Sequence, residues 1–504
     1  MNQRSKLLHF RDVVLNLPEP APATFVTKRA DYPWLVVGTV CIGAFIGQVD
    51  ASIVQLALPT LERVFDARLD TVSWVAVAYV LAFASILPMF ARIAEIAGRK
   101  VMYLIGFALF GLTSMLCGLS AGVPWLIVFR VLQGASGAML GANSVVILVA
   151  ASGPARRGRA MGIMAAAQAI GVSLGPALGG LLLGSLSWRW VFWVTVPFAV
   201  AGAVFGWLVV PKTTKFNPER CFDWGGAVLL TPALTTILMA IMELHAWGPL
   251  SAPTLVCVGA AAILFGAFVW REIKTHAPLI DLHLFQSPAF SGGVIATVLS
   301  YAMLYGIFFS MSFALVRGYH ASPLDAGLRL TVVPLALGIV APFSGGLYER
   351  HPRVVPIGGM AICVCATVAL NGLLTGSPMS LPGVMIALAA FGAGLGLFIA
   401  PNNSATISAA PAERSGQAGG LLNLMRVFGT GLGVAAASTL LAWRLERATG
   451  VSGRTVAVSE SDLLGAVGDV LLMLAAFAVI AGAATLARQL ATASGKAAAG
   501  RTKN

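Results

Sequence analysis

Apolar residues in this chain run in blocks of roughly twenty, the length a helix needs to cross the hydrocarbon of a bilayer, with short polar segments between them. The blocks begin near Trp34, Thr71, Val101, Pro124, Ala160, Trp190, Trp224, Pro253, Gly292, Ala326, Val354, Leu381, Gly416 and Leu463, which predicts fourteen spanning helices. The weakest break is between the seventh and eighth, where only Glu243, His245 and Pro249 interrupt the apolar run. An even number of spans puts both ends of the chain on one membrane face. Most of the 33 Lys and Arg fall in segments on that face, so the positive-inside bias predicts cytoplasmic termini. Residues 1–33 are polar and mixed in charge, and the first apolar block is too long for the core of a cleavable signal, so it is expected to remain as a helix.

Composition agrees with this pattern. A chain of 504 residues that is 58% hydrophobic and 11% charged is too apolar to be a water-soluble globule and reads as an all-α integral membrane protein. The net charge of +13 raises nucleic acid as a partner, but the cations sit in short blocks between spans and form no single patch, so no nucleic-acid binding is expected. The expected partners are the lipid bilayer, a small-molecule substrate and protons, with a monomeric chain. Six cysteines, mostly inside apolar blocks and without a C-x-x-C pair, read as core fillers. The six histidines are placed in tails or loops. Neither a metal site nor a cofactor is expected.

The most concentrated charge lies in Ala91–Val101, where Arg92, Glu95, Gly98, Arg99 and Lys100 predict a tight loop on a membrane face. A weaker copy, Gly345 to Arg350, matches Glu349 to Glu95 and adds Arg350. Gly134 aligns with Gly392, and Gly171 and Gly175 with Gly429 and Gly433, at one common offset. The spans shift by eight in these alignments, as expected for two six-helix repeats with two inserted central helices. Duplicated bundles around a midplane site are typical of secondary transporters. The expected layout is an N-terminal tail (1–33), a first six-helix bundle (34–211), linkers with inserted helices seven and eight (212–285), a second bundle (286–490) and a C-terminal tail (491–504).

With these residues assembled, the chain resembles the major facilitator superfamily, in particular its fourteen-helix drug:proton antiporter branch. The loop Ala91-Arg-Ile-Ala-Glu95-Ile-Ala-Gly98-Arg99-Lys100 is similar to that family's G-x-L-a-D-r-x-G-r-k, with Ala91 and Glu95 in place of Gly and Asp. Arg130-Val-Leu-Gln133-Gly134 resembles R-x-x-q-G, and Gly171 through Gly175, Pro176, Gly179 and Gly180 resemble the antiporter motif g-x-x-x-G-P-x-x-G-G. Asp50 to Pro59 is similar to D-x-T-I-V-N-x-A-L-P, with Ser52 and Gln55 for Thr and Asn; Trp188 to Phe192 and Pro197 resemble a further signature, with Thr195 for the usual Asn. The resemblance implies that the charged loops latch one half against the other and that the glycine stripe seals a path during rocking.

A carboxylate in a spanning helix costs roughly 2.5 to 3.5 kcal/mol at the centre, so its retention points to use. Asp50 and Asp469 are the acids that fall clearly inside predicted spans, Asp469 on a last helix expected to reach the interface. Asp50 lies about 14 Å and Arg130 about 9 Å from the same face at 1.5 Å per residue, so the two can meet. Asp50 is the candidate proton carrier and Arg130 its partner; the alternative is a permanent ion pair that only fixes packing. Gln48, Ser52 and Gln55 share a helix face turned away from Asp50 and either meet substrate or bind helices together. Gln133, Asn143, Gln168, Tyr305, Asn402, Asn403 and Asn423 are further cavity candidates, and Arg426 has no acid at matching depth.

The expected function is therefore a proton-coupled exporter of small, lipophilic or cationic compounds by alternating access. A dedicated exporter of a metabolite such as an amino acid, siderophore or sugar derivative, and a non-transporting receptor, remain open. No G-x-x-x-x-G-K-[ST] loop is present for ATP, and no cluster suited to an enzyme is found.

Overall fold

A computed structural model describes residues 19–153, 156–213, 223–275, 280–411, 414–449, 455 and 458–501. Cys221, His9, His276 and the first eighteen residues of the expected tail lie outside it. Among the described residues, fourteen helices are long and apolar enough to cross a membrane. In chain order they are α1 (Tyr32–Phe65), α2 (Leu69–Ala97), α3 (Arg99–Leu119), α4 (Val123–Ser152), α5 (Arg157–Ser185), α6 (Trp190–Val209), α7 (Trp224–Trp247), α8 (Ala252–Lys274), α9 (Pro288–Phe313), α10 (Pro323–Arg350), α11 (Val354–Leu373), α12 (Leu381–Ser408), α13 (Ser415–Thr449) and α14 (Glu460–Arg501). Prolines occupy the first turn of α1, α4, α8, α9, α10 and α12, where no N–H is required of them. Ser251 and Ser287 cap α8 and α9 through their hydroxyls.

Several expectations change here. Ala91–Val101 is not a loop: α2 runs through Ala97 and α3 starts at Arg99, so the turn is Gly98 alone, with φ of 102°. A glycine adopts that backbone without the steric cost a side chain would meet, and two helices are thereby joined at a sharp corner. His245 is not in a loop but in the last turn of α7. The C-terminal segment from 491 to 501 continues α14 as helix. Residues 19–31 are docked: Ala23 N–H bonds Leu208 O at 2.9 Å, and Glu19 accepts from Thr213 N–H and hydroxyl at 2.6 and 2.7 Å.

The helices pack in two groups. In the first, α1 lies on α5 and α4, α2 on α4, and α3 on α4 and α6. In the second, α9 lies on α13 and α14, while α10 and α11 flank α12. Inserted helix α7 sits against both α2 and α13, and α8 sits on α7 at the periphery. Accordingly α8 shows a wide apolar surface, including Val256, Ile263 and Ile273, to the bilayer. α9 is the most enclosed span and forms the centre of the larger core.

Candidate functional site

Asp50 and Arg130 meet. Arg130 Nη1 donates to Asp50 Oδ2 at 2.6 Å, and the side chains are 0% and 1% exposed, so water does not reach the pair. A buried ion pair is stable only when its remaining donors and acceptors are also satisfied. Here they are: Gln133 Nε2 donates to Asp50 Oδ1 at 3.0 Å and to Ser114 Oγ at 2.8 Å, while its carbonyl oxygen accepts from Arg130 Nη1 at 2.7 Å. Arg130 Nε donates to the Val75 carbonyl at 2.9 Å, and its guanidinium carbon lies 4.2 Å from the Tyr79 ring centre. Thr195 closes the network on Ser114 at 3.1 Å. Gln133 sits one turn from Arg130 on α4, which places both on the face turned to α1. It belongs to this network and not to a substrate-facing wall.

The other polar candidates divide by exposure. Gln48, Gln168, Asn403 and Asn423 are partly exposed, whereas Ser52, Gln55, Asn143, Tyr305 and Asn402 are buried. Ser52 bonds its own helix at Gln48 O, 2.9 Å, and packs against Gly175. Gln55 Oε1 and Asn143 Oδ1 are buried with no partner among the described residues. Asn402 is interhelical glue: its Nδ2 donates to Gly293 O at 3.1 Å and Thr297 Oγ1 at 3.0 Å, and its carbonyl accepts from Arg488 at 2.9 Å. Asn403 touches Thr297 at 3.3 Å. Tyr305 is buried on α9 with its ring against Phe308, centroids 5.8 Å apart. Asp469 does not stand alone at the interface; it pairs with Arg444 of α13.

The charged corner stays within the first group. Glu95 is held by Arg92 and, at 3.3 Å, by Arg99, one turn to either side. Arg99 N–H donates to Thr213 at 2.9 Å. Lys100 is fully buried and donates to Trp207 O at 2.9 Å and Val210 O at 2.6 Å, so it caps the end of α6 and takes no part in a latch between groups here. Gly98 is crowded by the Glu19 carboxyl. Glu349 and Arg350 are exposed on the last turn of α10.

Contact between the groups is closest on the face opposite the termini. Gly171, Gly175 and Gly179 let α5 lie against α1; a Cβ at Gly171 would stand 2.7 Å from Phe45 O. Gly180, next along, faces the second group instead: a Cβ there would press on Pro323 O and stand 3.0 Å from Leu324 Cα and 3.2 Å from Gly327 Cα of α10. A Cβ at Gly327 would in turn press on the carbonyl of Pro176. Nearby, Arg317 donates to Pro59 O at 3.3 Å, and the buried Glu62 carboxylate accepts from Thr455 N–H at 2.7 Å and from its hydroxyl at 2.5 Å. A cleft of about 510 Å³, lined by Thr60, Arg63, Arg317 and Glu460, borders this barrier.

A model of the Major Facilitator Superfamily matches residues 40–434. The chain belongs to that superfamily. It is a multi-pass membrane protein and a secondary transporter, not an enzyme. Its relatives include the riboflavin transporter RibZ of Clostridioides difficile, 30% identical over 82% of this chain and 89% of the relative. The tetracenomycin C resistance and export protein of Streptomyces glaucescens is 30% identical over 82% and 77%. Multidrug resistance protein Stp of Mycobacterium tuberculosis is 32% identical over 80% and 75%. Among solved structures, a bacterial homolog to the human lysosomal transporter Spinster, described as inward-facing and unoccupied, superposes with a TM-score of 0.66 at 17% identity, over 92% of this chain and 98% of that one.

Four participants in the facilitator's central network and barrier were missed in the sequence: Ser114, Tyr79, Glu62 and Thr455. Ser114 and Tyr79 carry no signal in a single chain, being common residue types in spans. Glu62 was within reach, because α1 continues past Pro59 to Phe65 and so takes a second acid, after Asp50, into the first span.

Proposed function

We propose that this facilitator is a proton-coupled antiporter that exports small lipophilic or cationic compounds, with the face carrying the termini cytoplasmic and residues 34–211 and 286–490 acting as two bundles that rock about the central site. The observation that carries the reading is the closed network of Asp50, Arg130 and Gln133, out of reach of water between α1 and α4. A proton arriving on Asp50 removes the negative charge that holds Arg130. The guanidinium then loses its partner, and α1 and α4 are freed to move against each other. Departure of the proton to the opposite side restores the pair. Because the network is closed in this conformation, access for the proton requires the bundles to shift, which is the coupling antiport needs. Membrane potential contributes about 2.3 kcal/mol per charge per 100 mV to such a cycle.

In proteoliposomes with an inward proton gradient, a transported compound should drive proton movement that Asp50→Asn abolishes while folded protein remains in the membrane. Retained coupling in that variant refutes the assignment. The relative named as a riboflavin transporter, aligned over most of its length, supports a second reading, transport of one dedicated metabolite. Proton movement with a single compound from a broad panel would favour it over multidrug export.

A further inference from the structure

The coupling network leaves one charge inside the bundle unused. Arg426 lies on α13 about 16 Å from the helix start at Ser415 by the 1.5 Å rise, near mid-membrane. One turn further along, Gly431 meets Val80 of α2. Arg426 points inward: its guanidinium carbon stands 5.8 Å from the ring centre of Tyr301 on α9, the most enclosed helix. Its one hydrogen-bond partner among the described residues is the neutral Asn423, at 2.7 Å, and no described carboxylate pairs with it. The side chain is half-buried, so donors beyond the one given to Asn423 stay open.

Charge balance then decides the substrate. Asp50 is already neutralised by Arg130 at 2.6 Å. Arg426 is therefore left as a positive charge with no described carboxylate partner, beside the Tyr301 ring. An arginine without an acid partner inside a spanning helix is costly to keep, and such residues mark substrate pathways. A planar guanidinium pairs best with a planar, delocalised anion such as a carboxylate, which it grips with two parallel hydrogen bonds. We propose that Arg426 recognises an anionic group on the substrate, and that the class transported is aromatic acids, with Tyr301 against the aromatic part. This rests on the transport reading above and turns its expectation of cationic compounds toward anionic ones.

Two xanthene dyes of similar size test it: fluorescein, which carries a carboxylate, and rhodamine 6G, a cation. Equilibrium binding to the full chain in nanodiscs, with no gradient imposed, is followed by fluorescence anisotropy. Wild-type protein should bind fluorescein at least about tenfold more tightly than rhodamine 6G, and Arg426→Gln should weaken fluorescein by about tenfold or more without weakening rhodamine, as expected for loss of a desolvated charge pair. Arg426→Lys, which keeps the charge without the fork, should fall between. Preference for the cation, no binding of fluorescein by wild type, or equal loss of both dyes in Arg426→Gln overturns the proposal. If Arg426→Gln does not fold, the wild-type preference decides alone. Dye binding retained in a protein that shows no proton-coupled flux would remove the transport reading and leave the anion site standing.

Discussion

Gly180→Ala should tilt the transporter away from the conformation described. Gly180 of α5 lies so close to α10 that an added Cβ meets backbone: Pro323 O, Leu324 Cα at 3.0 Å and Gly327 Cα at 3.2 Å. Backbone in two packed helices cannot swing aside as the end of a side chain can, so the helices must separate by a few tenths of an ångström or more. Overpacking of this kind costs about 1–3 kcal/mol. The contact joins the two groups of helices, so this cost falls on the state that is closed on the face opposite the termini and is relieved when that face opens. A bias of about 1–3 kcal/mol is a 5- to 150-fold shift in the ratio of the two states. The assay is labelling of a Thr60→Cys reporter, which lines the cleft on that face, by a membrane-impermeant maleimide in proteoliposomes. Labelling should speed up by a factor in that range. Gly184→Ala is the matched control: one turn along α5, its Cβ would stand 3.8 Å from Leu324 Cβ, an ordinary contact, and labelling should not change. Equal effects at Gly180 and Gly184, or none at either in folded protein, would refute the account of the barrier.

Other substitutions separate gating from packing. Glu62→Ala removes the acceptor of both Thr455 bonds and should raise labelling of the same reporter by about tenfold or more, the charged hydrogen bonds it breaks being worth about 1.5–3 kcal/mol each. Lys100→Met should lower the unfolding temperature by uncapping α6, at about 1–3 kcal/mol, yet leave transport per folded molecule intact; a selective loss of transport would return Lys100 to the gate. Gln133→Leu strips Asp50 and Arg130 of shared hydrogen bonds and should destabilise the protein by about 1–3 kcal/mol in thermal unfolding.

Much of this protein was legible in the order of its residues, and the boundary has a physical reason. Hydrocarbon imposes one rule on every spanning segment, that backbone polar groups bond within the helix and side chains be mostly apolar, so fourteen blocks of suitable length determined fourteen helices without reference to one another. Depth is likewise additive along a helix, and counting residues from Pro59 and Pro124 was enough to bring Asp50 and Arg130 to one level. Rotation about each helix axis and the choice of neighbour are not additive; they depend on how all the helices pack. Hence Gln133, a candidate wall residue, turned to Arg130; Ser52, left open between substrate contact and helix packing, packed on α5; and Lys100, placed in a gating loop, reached the end of α6. The lone charge of Arg426 shows both sides: its lack of an acid at matching depth was visible in the chain, but its place beside Tyr301 depended on packing. Sequence determined how deep each charge lies, and tertiary structure alone decided what it faces.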